Sequence, residues 1–122
     1  MTINSINLQK NEFNLIIEYE KNRTDISKNS FSLIILSLSN HKNVKNLENL
    51  LKKIHRKIRQ IDIIGFYDNS RLLILLPSTS YQESLLFLEK IEKIIINFSD
   101  LIESKKIFSY PEKWSDIDNL FL

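Results

Sequence analysis

Residues 59–80 read Arg-Gln-Ile-Asp-Ile-Ile-Gly-Phe-Tyr-Asp-Asn-Ser-Arg-Leu-Leu-Ile-Leu-Leu-Pro-Ser-Thr-Ser. The stretch describes a helix end, a strand, a tight turn, a second strand and a capped helix start. Ile61, Ile63, Ile64, Phe66 and Tyr67 make a short β-prone run, and Asp68-Asn69-Ser70 supplies turn chemistry. Leu72 to Leu76 are apolar without interruption, the pattern of a strand covered on both faces, and Pro77 ends it. Ser80 followed three residues later by Glu83 has the spacing of a capping box.

Upstream of this hairpin, residues 44–60 carry Val44, Leu47, Leu50, Leu51, Ile54 and Ile58 at three-or-four spacing. That spacing predicts a helix with one apolar face, with Lys45, Lys52, Arg56 and Arg59 opposite. Residues 31–38 are a short Ile/Leu-rich run and are expected to form the first strand. Residues 10–23, with Phe13, Ile16 and Ile17 against Glu12, Glu18 and Lys21, read as an amphipathic helix. Residues 24–30 are expected to be a loop and residues 1–9 a loose arm.

Downstream, residues 81–103 read as a third helix with a stripe of Leu85, Leu88, Ile91, Ile95, Phe98 and Ile102. Residues 105–110 then form a last strand before Pro111. The tail, with Trp114, Ile117, Leu120 and Phe121, is apolar enough to dock on the body. Two β-helix-β units around a hairpin predict an α+β chain, a ferredoxin-like antiparallel sheet with helices packed on it. The 122 residues are read as a single domain.

Composition excludes several chemistries. With no cysteine there are no disulfides, thiolate metal sites or cysteine nucleophiles. The chain has one glycine, Gly65, so neither a phosphate-cradling P-loop nor a dinucleotide fingerprint can be drawn. The abundance of Ile, Asn and Lys and the lack of alanine look like AT-rich coding, so lysine content alone carries no functional message. The net charge is only +2, yet residues 42–59 hold Lys42, Lys45, Lys52, Lys53, Arg56, Lys57 and Arg59 against Glu48 alone. No apolar run is long enough to span a membrane and residues 1–12 are too polar for a secretory signal, so the expectation is a cytoplasmic protein.

With this element order in place, the chain resembles the GGDEF family of diguanylate cyclases over nearly its full length. Arg23 is followed eight residues later by Phe31-Ser32-Leu33 and a strand ending Ser37-Leu38-Ser39, where the family has Asp-Leu-Asp. Arg59 and Asp62 match its Arg-x-x-Asp motif. After the family's five-residue spacing comes Asp68-Asn69-Ser70-Arg71-Leu72 in place of the Gly-Gly-Asp/Glu-Glu-Phe turn, then an apolar strand closing on Leu76-Pro77. A late strand ending Tyr110-Pro111 also matches. The similarity is greatest to short, degenerate members that accompany sugar transferases in surface-polysaccharide synthesis.

The resemblance implies a nucleotide cyclase-like fold and an activity that has been lost. In the family, the first-strand Asp and the acidic third residue of the turn hold the metal ions that bind GTP. Their counterparts here are Ser37 and Ser70, poor ligands for a hard cation. Asp68 and Asn69 replace the two glycines, and Arg71 reverses the charge of the glutamate. About ten residues that help recognise guanine in the family are missing after the first strand. Phosphoryl transfer rests on positioning and metal electrostatics, so a pseudoenzyme without catalytic residues, metal or cofactor is expected.

Several candidates stand beside plainer explanations. Arg59 and Asp62 match the family's cyclic di-GMP inhibitory site: a guanidinium fork suits a phosphate or a guanine edge, and a carboxylate accepts from guanine N–H groups. The plainer reading is an Arg favouring a helix C-terminus and an Asp opening a strand. The cations of the basic helix 44–60 suggest nucleic acid or anionic lipid, but no aromatic stands among them to stack on bases, and a solvated face accounts for them. His41 and His55 lack carboxylate partners in sequence. Ser78, Thr79 and Ser80 are explained by capping, and Trp114 with Phe121 by packing of the tail. The reading is a catalytically inactive GGDEF-like domain working by protein contact, with a protein partner or as a homodimer, in surface-polysaccharide regulation. The alternatives are a cyclic di-GMP receptor through Arg59 and Asp62, residual turnover of GTP, and nucleic-acid binding.

Overall fold

The computed structural model describes residues 10–39 and 44–114. The elements run α1 (Lys10–Ser27), β1 (Phe31–Leu38), α2 (Val44–His55), β2 (Ile63–Asp68), β3 (Arg71–Leu76), α3 (Tyr81–Ile95) and β4 (Ile102–Tyr110). The strands form one four-stranded sheet in the order β2-β3-β1-β4, and each neighbouring pair is antiparallel. This is the ferredoxin-like arrangement expected from the sequence. The uninterrupted apolar runs fall on the two central strands, β1 and β3, which are buried along almost their whole length.

Side chains alternate across the sheet, so one strand feeds two cores. Ile34, Leu36, Leu72, Ile74 and Leu76 face α2 and α3, packing with Leu50, Leu51, Ile54, Ile91 and Ile94. Leu33, Ile35, Leu73 and Leu75 face the other way, onto Phe13, Ile17, Tyr67 and Trp114. The apolar tail reading holds for Trp114, which is buried edge-on against Phe31 and Tyr110 at 5.1 and 5.7 Å between ring centres. Residues 115–122, with Ile117, Leu120 and Phe121, lie outside the described residues, as do the arm 1–9 and His41.

Five boundaries differ from the sequence reading. Helix α1 runs on to Ser27, so four residues of the expected loop are helical. Its inward stripe, Phe13-Ile17, continues through Glu20 and Thr24, both buried, so hydrophobic periodicity alone stops too early. Lys28 ends it in the left-handed region (φ 64°), its N–H donating to the Thr24 carbonyl at 2.8 Å.

Helix α2 ends at His55 rather than Gln60. The Lys57 N–H reaches back only to the Ile54 carbonyl (2.9 Å), a tightened last turn that releases Ile58 to Gln60. Val44 is 69% exposed and does not belong to the buried face, and Ile61, at 55%, precedes β2 rather than joining it. Helix α3 stops at Ile95, passes through a short 3-10 turn (Ile96–Phe98), and β4 begins at Ile102, not Lys105. Leu101 is buried, its carbonyl accepts the Ser39 N–H at 2.8 Å, and Ile102 pairs with Leu38. Tertiary pairing, with no glycine or proline to signal it, sets this boundary.

The capping box forms as expected. Glu83 N–H donates to Ser80 Oγ at 3.2 Å and Ser80 N–H donates to Glu83 Oε1 at 2.8 Å. With the phase set there, Ser84 takes the first inward position and Leu85 is turned outward. The Ser84 hydroxyl is satisfied by the Tyr81 carbonyl at 2.6 Å, which allows a small polar residue to be buried.

Candidate functional site

Two neighbourhoods hold the residues singled out by the sequence. The first is the β2–β3 hairpin. Asp68 pairs with Arg71 across a two-residue loop of Asn69 and Ser70, with an irregularity in the ladder at Tyr67. Among the described residues only Lys28 and Ser78 depart to positive φ, so the turn is one that residues with a Cβ make without strain. It therefore closes without the glycines of the GGDEF turn.

Asp68 is fully engaged inside this hairpin. Its Oδ1 accepts the Ser70 N–H at 2.9 Å and the Ser70 hydroxyl at 3.1 Å, an Asx turn. Its Oδ2 accepts Arg71 Nε at 2.9 Å and Nη2 at 2.6 Å. Partial burial works against the charged form, but the hydrogen bonds from Arg71 and then Ser70 outweigh it and hold the carboxyl below its ordinary value. The Arg71 guanidinium also lies 4.9 Å from the centre of the Tyr67 ring. The sequence reading placed these residues at one turn and missed this ion pair.

Strand register brings Ser37 to the same place. Ser37 pairs with Arg71, and the Leu38 N–H donates to the Ser70 carbonyl at 2.7 Å. Ser37 and Ser70, which stand where the resemblance implies metal ligands, thus lie at one sheet end beside Arg71, whose guanidinium is turned to Asp68 and Tyr67 on β2. Leu72, the last residue of the degenerate signature, is buried in the core. This donor set does not fit a hard divalent cation: Ser37 and Ser70 are neutral, Asp68 is committed to a cation, and Arg71 repels one. Among the described residues no group of three or more His, Cys, Asp or Glu stands together to hold a metal ion.

The second neighbourhood surrounds Arg59 and Asp62. The Arg59 N–H donates to Asp62 Oδ2 at 2.6 Å, and the guanidinium donates to Oδ1 through Nε and Nη2 at 3.1 and 2.8 Å. Nη2 also donates to the Pro77 carbonyl at 2.9 Å and to Thr79 Oγ1 at 2.8 Å. Asp62 is 1% exposed at its side chain and Arg59 50%. The carboxylate is turned inward as the anchor of the arginine, and only the arginine meets solvent.

Thr79 is not a capping residue, as the sequence had suggested. It is buried, donates to the Pro77 carbonyl at 2.9 Å, and offers its own carbonyl to the Ser32 hydroxyl at 2.9 Å. Ser32 Oγ lies 2.8 Å from Ser109 Oγ, so a polar chain links Arg59 through the β3–α3 turn to β1 and β4. No signal in the sequence marks such a chain, because its members are ordinary Ser and Thr residues far apart.

Arg59 and Asp62 border a cavity of about 200 Å³ together with Lys57, Leu86, Phe87 and Lys90. Its charged lining is mixed, with Lys57, Arg59 and Lys90 beside Asp62 and Glu83, and Leu86 and Phe87 supply an apolar wall. Of the basic face, Lys45, Lys52 and Lys53 lie exposed on α2, whereas Arg56, Lys57 and Arg59 follow its end. They do not continue a single helical face, and Lys53 lies over the Phe98 ring at 5.7 Å. His55 is exposed at the end of α2.

No family model matches the sequence, and no curated protein matches it. Solved structures do match in fold. A DGC protein from Thermotoga maritima superposes with a TM-score of 0.77 at 18% identity, covering 91% of this chain and 87% of that one. The GGDEF domain of FimX from Pseudomonas aeruginosa gives 0.72 at 11% identity, over 91% and 82% of the two chains. The GGDEF domain of DgcB from Caulobacter crescentus, solved in complex with c-di-GMP, gives 0.61 at 11% identity over 88% and 74%.

Proposed function

We propose that this chain, which has a GGDEF-like diguanylate-cyclase fold, is a non-catalytic regulatory domain that acts through contacts with a protein partner. The observation that carries the reading is the closed hairpin. The one carboxylate of the signature turn is neutralised by Arg71, and the first-strand position beside it is Ser37. Removing metal ligation from a phosphoryl-transfer site removes the charge stabilisation on which the reaction depends. A regulatory place in surface-polysaccharide synthesis is the setting the resemblance suggests. No helix among the described residues is long and apolar enough to cross a membrane. The test is incubation with labelled GTP and magnesium or manganese. The reading expects no cyclic dinucleotide; steady, metal-dependent product would defeat it.

A second reading, a cyclic di-GMP receptor, is supported by the cavity beside Arg59, where Lys57, Arg59 and Lys90 outnumber the carboxylates of Asp62 and Glu83. The ligand in the DgcB complex gives it chemical precedent in the fold. Two observations limit it. Asp62 is spent on Arg59, and about 200 Å³ is below the roughly 300–1,000 Å³ of a typical small-molecule site, so most of such a ligand would lie outside. Ligand at a hundred times its Kd should stabilise the fold by about 2.7 kcal/mol. Absence of any thermal shift with cyclic di-GMP removes this reading. A shift retained in Arg59→Ala removes the site. Nucleic-acid binding through the cations of 44–60 would show as steeply salt-dependent retention on DNA or RNA; retention flat across salt speaks against it.

A further inference from the structure

The two outer strands of the sheet are finished differently. β4 carries exposed Glu103, Ser104, Lys105 and Lys106, and Ser109 exchanges backbone hydrogen bonds with Lys113 at 3.0 and 2.6 Å as the chain turns back on that strand. Charge and a covering turn are the devices that keep a strand edge from pairing further. β2 has neither along Ile63 to Phe66, a run with no charged residue and no proline. The acids that bound it are spent inside the chain, Asp62 on Arg59 and Asp68 on Arg71. Among the described residues β2 pairs with β3 alone, so the backbone groups on its outer side have no strand to meet.

Helices border this edge on both faces of the sheet. α1 lies against β2 and β1, with the Tyr67 hydroxyl donating to Asn14 Oδ1 at 3.2 Å, and Ile16 and Ile63 are only half-buried on that face. On the other face α3 lies over β1 and β4, so α2 covers the β3–β2 side. Lys53 marks the flank of α2 turned to α3, its Nζ 5.7 Å from the centre of the Phe98 ring. Val44 stands half a revolution round the helix from Lys53, on the flank over the β2 edge, and is exposed. Exposed Glu48, one turn on, shares that flank and forms no ion pair among the described residues. Half-buried Phe66 and exposed Ile61 complete an apolar margin.

We propose that the outer edge of β2 accepts an extended segment of a protein partner as an added strand, apolar and uncharged except for one Lys or Arg that meets Glu48. The proposal rests on the reading of this chain as a domain that works through protein contact, and it names the mode. In strand addition the main-chain hydrogen bonds supply affinity and alternate side chains supply specificity. Side chains of the added strand point by turns to the α1 face, toward Ile16 and Ile63, and to the α2 face, toward Val44, Phe66 and Glu48. The surface covered is on the order of a few hundred Å², the low end of specific interfaces, so a micromolar Kd is expected.

Selection of random displayed peptides on the full chain tests it, the probe then being the most enriched peptide made synthetically. Enriched sequences should alternate apolar residues and carry a Lys or Arg. The peptide should bind Ile63→Lys, which sets a charge on the edge, about tenfold or more weakly than the wild type, and Glu48→Lys should weaken it as well. Strand addition has a further signature: N-methylation of alternate peptide residues should abolish binding in one phase and spare it in the other, because every second N–H points at β2. No enriched peptide, undiminished binding to either variant, or equal loss in both methylation phases overturns the proposal. So does a wild-type chain that dimerises in sedimentation where Ile63→Lys does not, since a second copy then covers the edge. Should Ile63→Lys fail to fold, the methylation comparison decides alone. Failure here leaves the absence of catalysis standing, whereas metal-dependent turnover of GTP would defeat that reading without touching the peptide result.

Discussion

Asp62, with its side chain 1% exposed, is held by Arg59 through the backbone N–H at 2.6 Å and the guanidinium at 2.8 Å. The pair spans three residues and closes the passage from α2 into β2. Arg59 therefore has a structural duty before any ligand is considered. Replacing Arg59 with Ala leaves a buried carboxylate with only its backbone donor. A loss of about 1–3 kcal/mol is expected, the cost of an under-satisfied buried acceptor. Urea unfolding of Arg59→Ala beside the wild type measures it, and an unchanged midpoint would remove the anchoring role.

Lys28 ends α1 at φ 64°, a conformation that costs a residue with a Cβ roughly 1–2 kcal/mol. Lys28→Gly should stabilise the fold by about 0.5–1 kcal/mol, since glycine takes the left-handed region freely but loses more freedom on folding. Chemical denaturation with unchanged slope and a higher midpoint is the expected result; a lower midpoint contradicts it.

The hairpin gives a dependence on pH. Asp68 is held below its ordinary value of 3.8, with burial opposing and Arg71 and Ser70 overriding. Its folded state therefore binds the proton less readily than the unfolded chain. The stabilisation is fully present above the ordinary value and is lost as pH falls through the lower, folded value. Glu83, lowered by its bonds to the Ser80 backbone and hydroxyl, acts with the same sign. Asp68→Asn should be less stable than wild type at neutral pH and should lose less on acidification. Melting curves from pH 7 to pH 2 check this, and parallel curves for the two proteins would contradict it.

Ser80→Ala removes one half of the capping box and should cost about 1 kcal/mol, while Thr79→Ala breaks the chain from Arg59 to Ser32. Thr79→Ser keeps the hydroxyl and should retain more stability than Thr79→Ala. Equal losses in the two Thr79 variants would show that the methyl, rather than the hydroxyl, matters there.

What could be read from the chain divides along physical lines. The central strands and the α3 start were legible because continuous apolar runs, Pro77 and the Ser80/Glu83 spacing are local signals. The ends of α1, α2 and α3 were not. Glu20 and Thr24 are buried by partners that hydropathy does not register, and α3 stops at Ile95, ahead of the point where Ile102 joins β1. Leu85 was placed one residue out of phase because a buried serine does not look like core. At the candidate sites, Arg59 and Asp62 were found as a motif. That they bind each other, and that Thr79 completes the set, depends on distances between residues far apart in sequence. The Asp68–Arg71 ion pair was within reach, since opposite charges three apart across a two-residue turn face one another.

The central claim is that the end of the β2–β3 hairpin no longer grips a divalent cation. Manganese titration followed by paramagnetic broadening of the backbone amide signals of Ser37, Ser70 and Arg71 tests it most directly. The account predicts no saturable broadening confined to those amides, with GTP present or absent. Localised broadening that saturates and is reversed by excess magnesium would contradict it.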